Sequence, residues 1–518
     1  MAELAHDEVE PRVRHETQVR LRREDEDQRR LADKRSPAGE VRAGGEREQR
    51  AEALVHHRQD TGVDPVPVGY HPSMATDKLS TAVVGAGYVG IATAVGLAEH
   101  GHDVLLVERD PDRLAALADG RIPFHEPGLP EAYATQHAEG RIVPSAEISQ
   151  DGLDLIIVCV GTPIDDTGST DVSYVARALD QAAPAIAAGA ACVIRSTLPV
   201  GSAARLANRP GVVPGRLFVA PEFLRQGSAL EDIRRPTRVV LGTVGEHSDP
   251  GALALVTGAL AKPGTPLLVM RAEEASLVKN ASNVFLALRL TFANEVAGLA
   301  EDLGVDVGPV LEGIGHDPRI GHTYMRPSYG FGGSCLPKEV RSLSTAGLDR
   351  GLPMHLAGAI SEANADHQRR FARRIADAVG GLAGKRIALL GLAFKADTDD
   401  VRSSPALRLA ARLLAEGADL RAHDPAAGDN ARRVLPDLVV VSTVEEALRG
   451  ADAAVIATEW PVYRDLDWAA LHATMRQPLI IDGRRLLPHA ELRSMGYVVE
   501  RLGDGVITHE PPTDARSR

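Results

Sequence analysis

Residues 79–108 carry the pattern that most restricts what this chain can fold into. Residues 79–84 read as one buried strand. Gly85-Ala86-Gly87-Tyr88-Val89-Gly90 follows without a gap, and apolar residues then repeat at helical spacing to about Glu99. A second strand is expected over 102–107, ending at Glu108. A lone GxGxxG says little. Set between a strand and a helix, with an acid about 20 residues on, it marks the opening βαβ unit of a parallel sheet that binds a dinucleotide. The glycines permit the tight turn and bring a pyrophosphate to the helix N-terminus. Gly85, Gly87, Tyr88, Val89 and Gly90 are therefore expected at the cofactor, with Glu108 accepting from the adenine ribose hydroxyls. A carboxylate there repels a 2′-phosphate, so NAD is expected rather than NADP; Arg109 beside it pulls weakly the other way.

Further strands are expected over 154–160, 191–195 and 218–220. In such a sheet, ligands sit beyond the carboxyl ends of the strands. Thr162, Thr197 and Glu222 all fall there. Thr197 alone reads more simply as a turn or helix-cap hydroxyl, whereas Glu222 is a candidate base. A long helix is expected over 274–303, with Lys279 and Asn283 one turn apart on one face. Such a pair could donate to a developing oxyanion, although most helical lysines are simply solvated. Residues 386–390, 420–423, 453–457 and 479–481 read as strands of a second doubly wound unit without GxGxxG. It is expected to hold a ligand by side chains, and Lys395, Arg402 and Arg484 near strand ends suit a diphosphate.

The run Tyr329-Gly330-Phe331-Gly332-Gly333-Ser334-Cys335-Leu336-Pro337-Lys338-Glu339 is where chemistry is expected. Its glycines would let backbone pass close to a ligand. The chain has 3 cysteines. Cys159 and Cys192 lie in apolar strand-like runs, which leaves Cys335 as the loop thiol and a candidate nucleophile, with Lys338 near enough in sequence to stabilise a thiolate.

So few cysteines in 518 residues suggest a reducing compartment, and a cytoplasmic location is expected. The net charge of −13 argues against nucleic acid or an anionic membrane as the main partner. No apolar run is long enough to span a bilayer. No metal-ligand set is expected. Residues 1–73 are dense in charge and nearly devoid of aromatics, so 1–76 is read as a disordered, dispensable extension. The expected organisation is 77–268 for dinucleotide binding, 269–380 for a central helical dimerisation domain with the cysteine loop, and 381–510 for a second Rossmann-like domain. The fold class is α/β.

The set GAGYVG, STLPVG, PEFLRQGSALED, KNASN, DPRIGHTYMRPSYGFGGSCLPKE, GLAFKADTDDVRSSPA, TEW and IIDGR resembles the nucleotide-sugar dehydrogenases of the UDP-glucose/GDP-mannose dehydrogenase family over roughly 77–505. GFGGSCLPK and the AFK–D–R segment are the most specific parts. The related branch acting on N-acetylhexosamine nucleotides tends to carry PER where this chain has Pro221-Glu222-Phe223. The resemblance implies an NAD-dependent four-electron oxidation of UDP-glucose to UDP-glucuronate, or of GDP-mannose to GDP-mannuronate, through a thioester on Cys335. An inactive nucleotide-sugar-binding protein is the alternative from another class; Cys335 and Lys279 argue against it.

The resemblance also implies roles. Lys279 would stabilise the oxyanion, Glu222 serve as acid/base, Thr197 position water and Asn283 hold the sugar. Phe223, Leu224, Arg225, Tyr329, Gly330, Phe331, Gly332, Phe394, Lys395 and Arg484 would contact the nucleotide sugar. Arg113, Thr162, Thr197, Gln226 and Arg402 would contact the cofactor. Arg319 would reach the neighbouring site of a homodimer or higher oligomer. Two positions depart from the family pattern: Glu339 stands where Asp is usual, and Gln226 where an acid is usual.

Overall fold

The computed structural model describes residues 78–148, 152–165 and 169–505. The expected N-terminal extension lies outside them. The first sheet has eight strands: β1 (Ser80–Val84), β2 (Asp103–Val107), β3 (Ile142–Ser145), β4 (Leu155–Val158), β5 (Ala191–Ile194), β6 (Leu217–Val219), β7 (Val239–Thr243) and β8 (Leu267–Arg271), in spatial order β3-β2-β1-β4-β5-β6-β7-β8. All neighbours are parallel except β6 and β7. Every residue of β4, β5 and β6 is buried. Helices cover both faces of such a sheet, so its central strands read as unbroken apolar runs rather than alternating ones. One face packs Val83, Leu106, Ile157 and Val193 against Ile91 and Val95 of the helix Tyr88–Glu99.

The second sheet has six parallel strands: β9 (Arg386–Leu390), β10 (Asp419–His423), β11 (Val439–Val440), β12 (Ala453–Ile456), β13 (Leu479–Asp482) and β14 (Val498–Arg501), ordered β11-β10-β9-β12-β13-β14. Both sheets thus reverse direction beside their first strand, between β1 and β4 and between β9 and β12. A crevice opens at such a switch point.

The helix Ala272–Asp302 joins the two units. It begins two residues before the expected start because Glu274 accepts from the Arg271 N–H at 2.9 Å and satisfies an end donor there. Its 31 residues span roughly 46 Å. The helices Leu336–Leu348 and His355–Ala378 pack on it around Val284, Ala287, Phe331, Val340, Leu343 and Ile360. Leu277, Phe285, Phe292 and Leu299 are spaced seven or eight apart along the same helix and remain exposed.

Candidate active site

A cleft of about 3060 Å³ runs between the two sheets and along the central helices. One drug-sized ligand fills about 300–1,000 Å³, so this cleft has room for a dinucleotide and a nucleotide sugar together.

At the first sheet the three fingerprint glycines do different work. Gly85 has φ +99, and a Cβ on it would lie 3.0 Å from the Cys159 carbonyl oxygen. A Cβ on Gly90 would lie 1.8 Å from the Gly85 oxygen, so Gly90 is what lets the helix start so close to the strand end. Gly87 has nothing within 4 Å of that position and faces the cleft. This is a cradle that a pyrophosphate fits. Tyr88 and Val89 line the cleft beside it, and the Tyr88 hydroxyl has no protein partner. Burial pushes that phenol far above its usual range. Glu108 ends β2 half-buried, with Oε1 accepting from the Arg109 and Asp110 N–H groups at 2.7 and 3.0 Å. Glu108 and the exposed Arg113 do not line the cleft.

The cysteines separate sharply. Burial pushes the thiols of Cys159 and Cys192 up to about 12. Cys335 is exposed in the cleft and is the N-cap residue of the helix Leu336–Leu348. Lys338 does not serve the sulfur as expected. Its ammonium donates to Thr162 Oγ1 at 3.0 Å and pairs with Glu339 at 3.2 Å. Glu339 is almost fully buried one turn into the helix, behind the cleft wall, and its Oε2 has no partner. The Ser334 hydroxyl lies 3.7 Å from the sulfur at the start of that helix.

The loop leading to Cys335 is held by three hydrogen bonds from two helices, Ala272–Asp302 and His355–Ala378. The Ser328 N–H donates to Asn294 Oδ1 at 2.8 Å, the Phe331 N–H to Asn364 Oδ1 at 2.9 Å, and His367 Nε2–H to the Ser328 carbonyl at 2.8 Å. Its glycines line the cleft, and protein fills the space on the side where a Cβ would stand. A Cβ on Gly330 would meet Gln368, one on Gly332 the Ser403 oxygen at 2.1 Å, and one on Gly333 the Phe394 ring at 2.8 Å. Close approach of neighbouring elements requires these glycines.

Glu222 follows β6, and Lys279 reaches it from the central helix. Both are buried, with the ammonium 3.3 Å from Glu222 Oε1 and also donating to the Glu222 carbonyl. Glu222 Oε2 accepts from the Leu224 N–H at 2.6 Å. The lysine is thus not the solvated one that helical lysines usually are. Asn283, one turn on, is buried at the cleft wall and its Nδ2 has no partner. Thr197 also lines the cleft, and Asn280 Nδ2 donates to Leu198 O at 3.1 Å, tying that turn to the helix.

The second sheet closes the cleft with Phe394, Lys395, Arg402 and Arg484. Burial lowers the Lys395 ammonium, opposed by Glu459 and Glu126, and it donates to the Gln226 carbonyl. Gln226 Nε2 donates to Asp400 Oδ2 at 3.0 Å, and Arg402 pairs with the same carboxylate at 2.6 Å. Burial raises Asp400, but Arg402 and Gln226 outweigh it and hold the carboxyl below the usual range. Gln226 thus ties the two units together through Asp400, and both Gln226 and Arg402 line the cleft. Sequence reasoning missed Asp400 because its partner lies 174 positions away. Arg225 lines the cleft but pairs with Asp232 at 2.6 Å.

Two expected contacts lie elsewhere. Tyr329 is buried off the cleft, its ring stacked 4.8 Å from Phe371 and its hydroxyl donating to Ala457 O at 3.0 Å. Arg484 lies over that ring at 4.9 Å and donates to Ala457 O at 2.8 Å, so Tyr329 supports the arginine. Arg319 is fully out in solvent beside Asp317, away from this cleft.

Family models agree with this arrangement. Residues 79–256 match the NAD-binding domain of the UDP-glucose/GDP-mannose dehydrogenase family, 273–366 its central domain and 388–489 its UDP-binding domain. A UDP-glucose 6-dehydrogenase of Pseudomonas aeruginosa is 36% identical over 438 residues, covering 81% of this chain and 96% of its own. One from Rhizobium meliloti is 36% identical over 436 residues, covering 82% and 99%. The structure of a UDP-glucose dehydrogenase from Pyrobaculum islandicum superposes with TM-score 0.75 at 36% identity, covering 84% of this chain and 99% of that one.

Proposed function

The chain belongs to the UDP-glucose/GDP-mannose dehydrogenase family, and from that premise we propose that it oxidises the C6 alcohol of UDP-glucose to the carboxylate of UDP-glucuronate. The observation that carries this reading is one cleft shared by an exposed thiol at a helix N-terminus and a buried Glu222–Lys279 pair. Bound against the glycine cradle, NAD supplies the hydride acceptor for both oxidations.

The residues divide the remaining work. Glu222 takes the hydroxyl proton as C6 gives up its first hydride and becomes an aldehyde. The Cys335 sulfur bonds to that carbon, and the resulting oxyanion lies against Lys279 and Asn283. Loss of the second hydride leaves a thioester. A water positioned by Thr197 attacks its carbonyl, the C–S bond breaks, and the acid leaves with the thiol restored. Glu339 acts on this site through Lys338 and Thr162. Lys395, Arg402 and Arg484 attract the diphosphate. Pro221-Glu222-Phe223, together with the names of the relatives above, supports glucose as the sugar and UDP as the carrier.

The reading includes a homodimer built on the exposed stripe Leu277, Phe285, Phe292 and Leu299, since monomers rarely leave such a contiguous row uncovered. Arg319, unused by its own cleft, would then serve the neighbour's. It also includes a cytoplasmic setting, where 3 unpaired cysteines stay reduced. The test is NADH absorbance across a panel of UDP-glucose, GDP-mannose and UDP-N-acetylhexosamines. UDP-glucose should exceed every other substrate in kcat/KM by at least about tenfold. Preference for GDP-mannose, or no turnover of any sugar, would overturn the reading.

A further inference from the structure

Away from the cleft, Glu312, His316 and His322 bring three ligand atoms within 4.8 Å of one another. We propose that they bind a divalent transition-metal ion of the zinc class, closing a clasp on the turn that carries Arg319. No metal was expected from the sequence, although five residues separate His316 from His322, a spacing that zinc ligands use.

The local structure builds the cluster in two steps. Glu312 lies in the last turn of the helix Val307–Gly315 and His316 is its C-cap, so at i and i+4 they share a face. The chain then turns through 317–321 and returns His322 to the same spot. Gly315 makes room for it: a Cβ there would lie 2.2 Å from His322 Nδ1. Arg289 donates to the Ile320 and Gly321 carbonyls at 2.8 and 2.7 Å and holds the turn in place. The three groups are thus assembled by the fold itself.

The spacing suits a metal. His316 Nε2 is 3.2 Å from Glu312 Oε1, and His322 Nδ1 is 3.6 Å from Glu312 Oε2. Two ligand atoms held tetrahedrally at the usual zinc distances stand about 3.3 Å apart. Two imidazoles and one carboxylate suit zinc, copper or nickel, whereas calcium and magnesium prefer oxygen ligands throughout. All three side chains are exposed, which leaves a fourth position to water. The ordinary reading of the cluster is a pair of surface His–Glu contacts, which contribute little. It predicts no metal affinity.

A metal here would act on more than the surface. It would fix both ends of the turn from which Arg319 projects. His322 also directly precedes Thr323 and Tyr324, which line the cleft.

The test uses the full untagged chain with Cys335→Ala, so that zinc cannot report the exposed thiol. After chelator treatment, Zn²⁺ is titrated in competition with a chromogenic chelator. His316→Ala and His322→Ala, each in that background, should weaken one equivalent of zinc per chain by more than about tenfold. Excess Mg²⁺ should not displace it. Co²⁺ should give a visible d–d band that Glu312→Gln with His322→Ala removes. Equal zinc affinity and stoichiometry with and without the histidines, or a Co²⁺ spectrum unchanged by the substitutions, would overturn the proposal.

Discussion

Cys335 differs from Cys159 and Cys192 in surroundings rather than in chemistry. Burial raises Cys159, just past β4, and Cys192, in β5, to about 12, while the third sits exposed on a helix N-terminus within the cleft. On the proposed mechanism, Cys335→Ser should lower uronate formation by at least about 10³-fold while the chain still folds and binds NAD. Product quantification by chromatography checks this, and wild-type-like uronate yield would remove the thiol from the mechanism. Residue identity alone pointed to Cys335, Lys279 and Glu222. It could not show that Lys279 is buried against Glu222, or that Lys338 turns to Thr162. Those facts depend on elements far apart in sequence.

Elements differ in how plainly the sequence announces them. β1 and the helix after it were legible because a strand-like run meets GxGxxG, and both follow from local rules. β7 and β8 went unread: β7 joins β6 antiparallel, so the βαβ pair it makes with β8 breaks the run of parallel units that precedes it. The glycine loop before Cys335 lines the cleft as expected of a ligand-facing loop, but the atoms packed against its glycines come from the helix His355–Ala378 and the segment after β9, which no local pattern announces. His367 is one of the ties on that loop, and burial lowers its imidazole to about 4. The unfolded value is about 6.5, so between the two the unfolded chain binds the extra proton. Stability therefore falls as pH drops through that window and levels below the folded value. The contribution is up to about 3 kcal/mol. His367→Gln keeps a donor for Ser328 and should flatten this part of the loss. Urea midpoints at about pH 7 and about pH 4.5 for both proteins measure it; equal losses would show that His367 is not the group responsible.

One cleft is lined from both units of the molecule, and the long helix joins them. That helix also carries the exposed apolar row on which the proposed dimer is built. If Arg319 serves the neighbouring cleft, mixing inactive Arg319→Ala and Cys335→Ala chains should restore measurable activity, because one site of each mixed dimer keeps both residues. A fully active monomer by light scattering, or no restored activity, would contradict the shared site. The central claim is a four-electron oxidation at one cleft, in which the second hydride leaves from a carbon bonded to Cys335. An alcohol dehydrogenase built on the same glycine cradle needs no cysteine and stops at the aldehyde. Counting NADH formed against UDP-glucose consumed at completion separates the two: the account predicts a ratio of about two with uronate as product, and a ratio of about one with free aldehyde would contradict it.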